Sequence, residues 1–228
     1  MTIFLDSANI EEIKKYSDWG IISGVTTNQK IWLKEKGINF KEKLKEILDF
    51  MKSFPISVEL TKTNKPLHIL IEEAKEYVKL GNNVVIKVPM WKNGNGLMLT
   101  EQLKKINIPV NMTCCMNVSQ AVLACEVEAK YVSLFYRRII DFHKNETSST
   151  NYGLEAIRRT RQIIDQQGYN TKIIAGSIRN PWDVTDCLLA GVHIVTVTPK
   201  ILEKLPFHEK TEETIKEFDE AWSMFLKK

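Results

Sequence analysis

The chain has 228 residues, of which 43% are hydrophobic and 26% charged, and its formal net charge is +4 at pH 7. These proportions are those of an ordinary globular protein, and the length suits one large domain or two small ones. Because no basic run is interleaved with aromatic residues, the composition argues against a nucleic-acid-binding protein. The mild positive charge is compatible with an anionic small molecule but does not identify one.

The cysteines and histidines are scattered. Cys114, Cys115, Cys125 and Cys187 form no CxxC pair, so neither a zinc site nor a disulfide framework is expected, and we predict reduced, buried thiols in a cytoplasmic protein. The four histidines lack ligand spacing, and no metal site is expected. We expect no signal peptide, and no window approaches the ~20 apolar residues that span a membrane.

Eight short apolar runs alternate along the chain with stretches of helical periodicity. The runs predict strands at Ile3–Leu5, Ile21–Val25, Ile56–Leu60, Val84–Pro89, Ile108–Met112, Tyr131–Phe135, Lys172–Ala175 and Ile194–Val197. The intervening and final stretches predict helices at Ile10–Tyr16, Phe40–Met51, Leu67–Leu80, Leu97–Ile106, Val118–Glu128, Tyr152–Gln166, Pro181–Ala190 and Thr211–Leu226. We expect Ser7 or Asn9 to cap the first helix and Asn180 to cap the helix that begins at Pro181.

The strands are continuously apolar, which is typical of a sheet covered on both faces, and strands separated by helices pair in parallel. Eight such units predict an α/β fold, namely a (β/α)8 TIM barrel with an extra C-terminal helix, in a single domain over residues 1–228. A doubly wound open sheet is the alternative. It usually has a glycine-rich loop after the first strand, where this chain has Asp6-Ser7-Ala8-Asn9.

Polar residues gather where the predicted strands end, and in a barrel these ends form the active face. They are Asp6, Thr26, Asn28, Glu59, Lys87, Asn111, Thr113, Ser133, Ser177, Arg179 and Thr198. Any one of them could be a helix cap or a turn residue. Their convergence on one barrel mouth indicates a functional site.

Lys87 lies inside the fourth apolar run and is the candidate nucleophile. Burial disfavours a charged amine, and a neutral amine can attack a ketone to form a Schiff base. The alternative is a lysine that snorkels to the surface. Glu59 has apolar neighbours and suits general acid/base chemistry, or else forms a buried ion pair with Lys87. Asp6 could move the proton of a substrate hydroxyl, or else cap the first helix.

Asn28 and Asn111 can hydrogen-bond sugar hydroxyls, although Asn28 is alternatively an ordinary turn residue. Ser177 and Arg179 follow the seventh strand just before a helix begins. Backbone N–H groups, the helix dipole and a guanidinium meet there, which favours a phosphate site. The pair Arg137-Arg138 after the sixth strand would add positive charge, or else lie solvated at the surface.

Together these residues resemble the transaldolase family, specifically its short members, over nearly the whole chain. The resemblance is carried by Phe4–Ala8, Gly24–Asn28, Ser57–Glu59, Ile86–Pro89, Asn111–Thr113, Ser133–Phe135 with Arg138, and Ala175–Asn180. It implies a (β/α)8 barrel enzyme that uses a Schiff-base lysine and no cofactor.

By position, the resemblance implies that Lys87 attacks the C2 ketone of a ketose phosphate and that Asp6 takes the C4 hydroxyl proton as the C3–C4 bond breaks. Glu59, working with Thr113 through a water, would handle the protons of the carbinolamine. The substrate-binding residues would be Asn28, Asn111 and Ser133 for the dihydroxyacetone unit, Arg138, Ser177 and Arg179 for the phosphate, and additionally Thr26 and Phe135. An aldose phosphate would accept the three-carbon unit.

Two positions separate the activities of the short family members. Transaldolases proper resemble this chain at Glu59 and Phe135, whereas fructose-6-phosphate aldolases typically have glutamine and tyrosine there. The resemblance therefore favours a transferase over a lyase. A catalytically silent barrel that binds sugar phosphates is a further alternative, which the intact set of Lys87, Asp6 and Glu59 opposes.

Several positions depart from the family pattern. Gln29 and Leu134 stand where proline is usual, Tyr136-Arg137 replaces a small pair, and the loop at 90–97 has extra residues. Because Arg137 would place a bulky cation near the expected phosphate end, we hypothesise an altered or modified sugar substrate.

The implied partners are small-molecule sugar phosphates of carbohydrate metabolism, with no nucleic acid and no membrane. The final helix carries Ile215, Phe218, Trp222 and Phe225 on one face, which would cover its own barrel or a neighbouring chain. Short family members often form rings of five or paired rings through such helices. A homo-oligomer, either a pentamer or a decamer, is therefore expected from the resemblance.

Overall fold

In a computed structural model of the chain, which describes residues 2–35, 37, 39–61, 64–146 and 149–227, eight parallel strands close a barrel in sequence order. The strands are β1 Ile3–Asp6, β2 Ile22–Thr26, β3 Ile56–Glu59, β4 Val84–Pro89, β5 Val110–Cys115, β6 Tyr131–Phe135, β7 Lys172–Gly176 and β8 Ile194–Val197. Strand β8 pairs with β1 and completes the ring. The predicted (β/α)8 barrel is confirmed, and the open doubly wound sheet is wrong.

Helices follow the strands around the barrel. They are α1 Ile10–Ser17, α2 Gln29–Trp32, α3 Phe40–Phe50, α4 Leu67–Val78, α5 Asn95–Lys105, α6 Val118–Glu126, α7 Tyr136–His143, α8 Tyr152–Gln167, α9 Pro181–Leu189, α10 Pro199–Leu202 and α11 Glu209–Phe225. The sequence did not predict α2, α7 or α10. Two of these have only four residues, too few to show a helical period, and α7 begins directly after β6 without a turn.

Five buried side chains form a separate apolar cluster that we call the barrel floor. They are Phe4, Val85, Tyr131, Ile174 and Ile194, from five different strands. The rings of Phe4 and Tyr131 meet edge to face, with centroids 6.0 Å apart, although β1 and β6 are not neighbours in the sheet. Such a contact crosses the barrel interior, so the floor closes the barrel beneath its carboxyl-terminal mouth.

Gly24 on β2 makes room for the Phe4 ring. A Cβ added at Gly24 would lie 2.6 Å from two ring atoms, closer than packed atoms approach. Gly24→Ala is therefore expected to lower the free energy of unfolding by about 1–3 kcal/mol through overpacking, measured by thermal or denaturant unfolding. Gly176→Ala is the matched control, since its added Cβ would meet nothing nearer than 3.6 Å. Equal stability losses in the two variants would contradict this account.

The last helix, α11, does not pack on its own barrel. None of its residues is buried, and Phe218, Trp222 and Phe225 are each more than 60% exposed. Of the two expected roles for this helix, cover of its own barrel is therefore wrong. Within the described ranges, no helix is both long enough and apolar enough to cross a membrane.

Candidate active site

A cavity of about 390 Å³ opens above the barrel floor, at the carboxyl ends of the strands. Its lining includes Asp6, Lys87, Ser133, Gly176 and Thr196, each two residues beyond a floor residue. Since side chains alternate along a strand, each of these points into the barrel as its floor residue does. The sequence-predicted residues that line the cavity are Asp6, Thr26, Asn28, Glu59, Lys87, Ser133, Phe135, Arg138, Ser177 and Thr198.

Lys87 is held at the centre of this group. Its side chain is only 6% exposed, its Nζ donates to the Thr27 carbonyl oxygen at 2.9 Å, and it lies 3.3 Å from Glu59 Oε2. The pairing of β3 with β4 sets Glu59 directly beside Lys87. The ion pair with Glu59 is therefore present, but the lysine does not snorkel to the surface. An amine and a carboxylate face the same cavity, an arrangement that can deliver a nucleophile and move its protons.

Asp6 is the second carboxylate in the cavity. Thr26 Oγ1 donates to Asp6 Oδ1 at 2.7 Å, and the hydroxyl of Thr26 also contacts that of Thr196. Burial raises the pKa of Asp6, while the charges of Lys87 and Lys34 and the Thr26 hydrogen bond oppose that rise. Asp6 does not cap α1, because the Asn9 side chain accepts the N–H groups of Glu11 and Glu12. The carboxyl group is therefore available to the cavity.

Asn111 and Thr113 are fully buried and do not line the cavity. Ser133 Oγ donates to Asn111 Oδ1 at 2.7 Å, and Asn111 Nδ2 donates to Ser57 Oγ at 3.2 Å. Both polar ends of the Asn111 amide are thus engaged, and the residue holds Ser133 in place rather than lining the cavity. Thr113 is also fully buried, and its hydroxyl has no hydrogen-bond partner among the described residues.

Asn28 caps a helix and also lies at the cavity. Its side chain accepts the N–H groups of Lys30 and Ile31, which caps α2, and it also lines the cavity. The first turn of α2, with Gln29, Lys30 and Ile31, therefore also lines the cavity, as does Lys34 beyond it. The side chain of Gln29 anchors this turn by donating to the Leu60 carbonyl oxygen at 2.9 Å.

The arginines expected at a phosphate site separate into two groups. Arg138 lines the cavity, with its guanidinium 5.0 Å from the centre of the Phe135 ring, and forms no ion pair among the described residues. Arg137 and Arg179 do not line the cavity, because carboxylates elsewhere bind their guanidinium groups. Arg137 pairs with Asp183, and Arg179 pairs with Asp141. The expected cation from Arg137 is thus absent from the cavity.

Several lining residues were not singled out from the sequence. Besides the α2 turn and Lys34, they are Cys114, Gly176 and Thr196. Because side chains alternate along a strand, counting two residues beyond each floor residue would have identified Gly176 and Thr196. Cys114 has φ +60° and lies where the β5–β6 register shifts, so alternation fails there. All four cysteines are free, and Cys114 alone among them is only partly buried. Across the described ranges, no group of three or more His, Cys, Asp or Glu residues could hold a metal ion.

Comparison with known proteins finds relatives that match nearly the whole chain. A sequence model of the family described as Transaldolase/Fructose-6-phosphate aldolase matches residues 3–228. A probable transaldolase of Agathobacter rectalis is 40% identical over 218 residues, which cover 96% of this chain and 95% of that protein. A probable transaldolase of Alkaliphilus metalliredigens is 38% identical over 227 residues and is covered completely, as is this chain.

A solved structure of thiamine phosphate pyrophosphorylase from Pyrococcus furiosus superposes with a TM-score of 0.55 at 12% identity, covering 90% of this chain and 93% of that one. At this identity the likeness concerns the barrel fold alone. The resemblance found in the strand-end motifs is confirmed by the family match and by the two relatives. The chain therefore belongs to the transaldolase/fructose-6-phosphate aldolase family.

Proposed function

We propose that this protein is a Schiff-base transaldolase, which moves a dihydroxyacetone unit from a ketose phosphate such as fructose 6-phosphate to an aldose phosphate. The observation that carries the proposal is the buried Lys87 amino group, which faces a cavity that also contains the carboxylates of Glu59 and Asp6. A nucleophile, an adjacent proton carrier and a second base are the groups that this chemistry needs.

The reaction would begin with transfer of a proton from Lys87 to Glu59, after which the neutral amine would attack C2 of the ketose. Glu59, 3.3 Å from that amine, would transfer the protons that convert the carbinolamine into an iminium ion and water. Asp6 would then accept the C4 hydroxyl proton as the C3–C4 bond breaks and an aldose phosphate leaves. The electron pair of that bond would pass into the iminium, giving an enamine on Lys87 that attacks the acceptor aldehyde.

Binding would be divided between two sides of the cavity. Asn28 and Ser133, the latter held by Asn111, would bind the hydroxyl groups of the three-carbon unit. Arg138 and Ser177 would hold the phosphate, because Arg138 is the arginine that lines the cavity. Arg179, the other arginine expected there, pairs with Asp141 and does not line the cavity. Thr113, which is fully buried and does not line the cavity, would reach Glu59 through a water.

The proposed substrates are ordinary sugar phosphates. The hypothesis of a modified sugar depended on an extra cation from Arg137 at the substrate. The Arg137 guanidinium instead forms an ion pair with the Asp183 carboxylate. Glu59 and Phe135, both in the cavity lining, favour transfer over simple cleavage by the family pattern. Turnover that needs an aldose phosphate acceptor would support the transferase, and equal turnover without an acceptor would support the lyase.

The first test is chemical trapping. The protein is incubated with fructose 6-phosphate, reduced with borohydride and digested, and the peptides are weighed by mass spectrometry. An adduct of dihydroxyacetone size on Lys87 is expected, because reduction converts the enzyme-bound imine to a stable amine. A folded protein that gives no adduct on Lys87 with fructose 6-phosphate would contradict the proposal.

The pH profile tests the role of Asp6. As a base, Asp6 must be ionised, so kcat/KM falls as the pH drops through the pKa of its carboxyl group. Burial raises that pKa, and the positive charge of Lys34 lowers it. Lys34→Met is therefore expected to move the acid limb of the kcat/KM profile to higher pH. Lys30→Met removes another lysine of the cavity lining and should leave the limb in place. An unmoved limb in Lys34→Met would argue against Asp6 as the base.

We further propose a cytoplasmic homo-oligomer, a pentamer or decamer by family resemblance, in which each chain is a single barrel domain. The exposed apolar residues of α11 support contact with a second copy of the chain, because water is a poor environment for Phe218, Trp222 and Phe225 together. A monomer by light scattering would reject the oligomer. The four free cysteines are compatible with a reducing compartment.

A further inference from the structure

Two ion pairs join α7 to the segment that follows β7. Each of the two segments contributes the arginine of one pair and the aspartate of the other. Helix α7 carries Arg137 and Asp141, while the segment around the start of α9 carries Arg179 and Asp183. Arg137 binds Asp183, and Arg179 binds Asp141, each through two nitrogen–oxygen contacts. The first pair is buried on its carboxylate side, and the second is half exposed. The stronger constraint on the structure is therefore the pair between Arg137 and Asp183.

The Asp183 carboxylate is fully buried and has four donors. Arg137 Nε donates to Oδ2 at 2.8 Å, and Arg137 Nη2 donates to Oδ1. The backbone N–H groups of Arg179 and Asn180 also donate to Oδ2, at 2.9 and 3.3 Å. Burial on its own would raise the pKa of Asp183, but these donors and the Arg137 charge outweigh it and hold the pKa below its ordinary value.

This carboxylate is linked, through Arg137 and through the backbone at Arg179, to the two groups proposed to bind phosphate. Arg137 directly precedes Arg138, which lines the cavity from α7. Asp183 fixes the backbone at Arg179, two residues after Ser177, which lines the cavity from the end of β7. Ser177 has φ +62°, a conformation that a serine adopts only when its surroundings hold it there. The position of Ser177 relative to Arg138 therefore depends on the contact between Arg137 and Asp183.

We propose that Arg137 and Asp183 are positioning residues, which hold the phosphate-binding groups Arg138 and Ser177 at a fixed separation. The inference rests on the proposed function of the cavity as a sugar-phosphate site. The family pattern has a small residue in place of Arg137, and a small side chain has no guanidinium to reach Asp183. This chain thus holds the groups at the phosphate end of its substrate with an ion pair that a small residue at position 137 could not form. The departure from the family pattern at this position affects the geometry of the phosphate site rather than the identity of the substrate.

A purely stabilising ion pair is the competing explanation, and a double variant separates the two. Arg137→Met leaves the buried Asp183 carboxylate without its cation, which destabilises the fold. Arg137→Met combined with Asp183→Asn removes both charges and keeps an oxygen for the two backbone donors. We expect the double variant to regain most of the thermal stability lost in Arg137→Met. If the pair only stabilises the fold, phosphate binding should recover together with stability.

The test measures the affinity for inorganic phosphate by calorimetry, in parallel with the KM and kcat for fructose 6-phosphate. Misplacement of binding groups by about an ångström is expected to weaken phosphate binding roughly tenfold or more in both the single and the double variant. KM should rise by a similar factor, with little change in kcat. Arg159→Met removes an exposed arginine paired with Glu155 on α8, and it should change neither the phosphate affinity nor KM.

Unchanged phosphate affinity in the double variant, or affinity that recovers together with its stability, would overturn the proposal. So would a wild-type protein that does not bind phosphate. The phosphate measurement needs no turnover, so it is independent of the proposed reaction. A wild-type protein that binds phosphate through Arg137-dependent geometry but forms no adduct with fructose 6-phosphate would contradict the proposed function and leave the positioning role supported.

Discussion

Replacing Lys87 with methionine is expected to lower turnover of fructose 6-phosphate by roughly 10⁵-fold or more, the scale seen when a covalent nucleophile is removed. Methionine is similar in length and fits apolar surroundings, but it has no nitrogen to attack C2. Glu59 lines the cavity beside Lys87 and is unchanged in this variant. The measurements are the rate with donor and acceptor present and the mass of the borohydride-reduced peptide, which should carry no adduct.

A second lysine of the same cavity provides the control. Lys34 also lines the cavity, so Lys34→Met tests whether loss of any nearby amine is enough to stop the reaction. This variant should still form the reduced adduct on Lys87. A Lys87→Met protein that is folded and keeps its rate within tenfold of the wild type would rule out the Schiff base at this position.

Replacing Asp6 with asparagine should stop the reaction at a different step. Asparagine preserves the shape of the side chain and an oxygen for the Thr26 hydroxyl, but it cannot accept the C4 hydroxyl proton. We expect kcat to fall by about 10³-fold, within the usual range for loss of a general base. Because imine formation does not need this base, borohydride should now trap an adduct with the mass of the whole ketose phosphate.

The adduct mass makes this prediction specific. The wild-type protein should give the three-carbon adduct, and Asp6→Asn the six-carbon phosphorylated adduct, both on Lys87. The exposed aspartate at the end of α1 offers a control, since Asp18→Asn should behave as the wild type. A three-carbon adduct formed at the wild-type rate in Asp6→Asn would mean that another group removes the proton.

The sequence alone was sufficient to predict that the polar groups at the strand ends lie together. Asp6, Glu59 and Lys87 each follow or interrupt an apolar run, and parallel strands bring their carboxyl ends to one mouth. The sequence offered the ion pair between Glu59 and Lys87 only as an alternative and did not fix the contact. The 3.3 Å contact between Glu59 and Lys87 depends on the β3–β4 register, which is set by packing around the whole ring.

The adjacent arginines show why local pattern was insufficient elsewhere. From the sequence, Arg137 and Arg138 were a pair of cations after β6, in a stretch for which no helix was predicted. In fact they lie in α7, where successive side chains point about 100° apart. One therefore turns toward the cavity and the other toward Asp183. Tyr136, Ile139 and Ile140 follow helical spacing, but α7 begins without a turn residue after β6, so its start was not recognised.

The closure of the barrel by β1 and β8 has a consequence for how the protein is made. Strand β1 can pair with β2 as soon as both leave the ribosome, but its other edge stays open until Ile194–Val197 has been synthesised. An open edge strand can pair with other chains, so the growing polypeptide is most prone to aggregate before that point. The hydroxyl contact between Thr26 and Thr196, beside Asp6, forms only after closure. A nascent chain therefore contains the proposed nucleophile long before it contains a finished pocket, and catalytic competence should appear only when the final strand is in place.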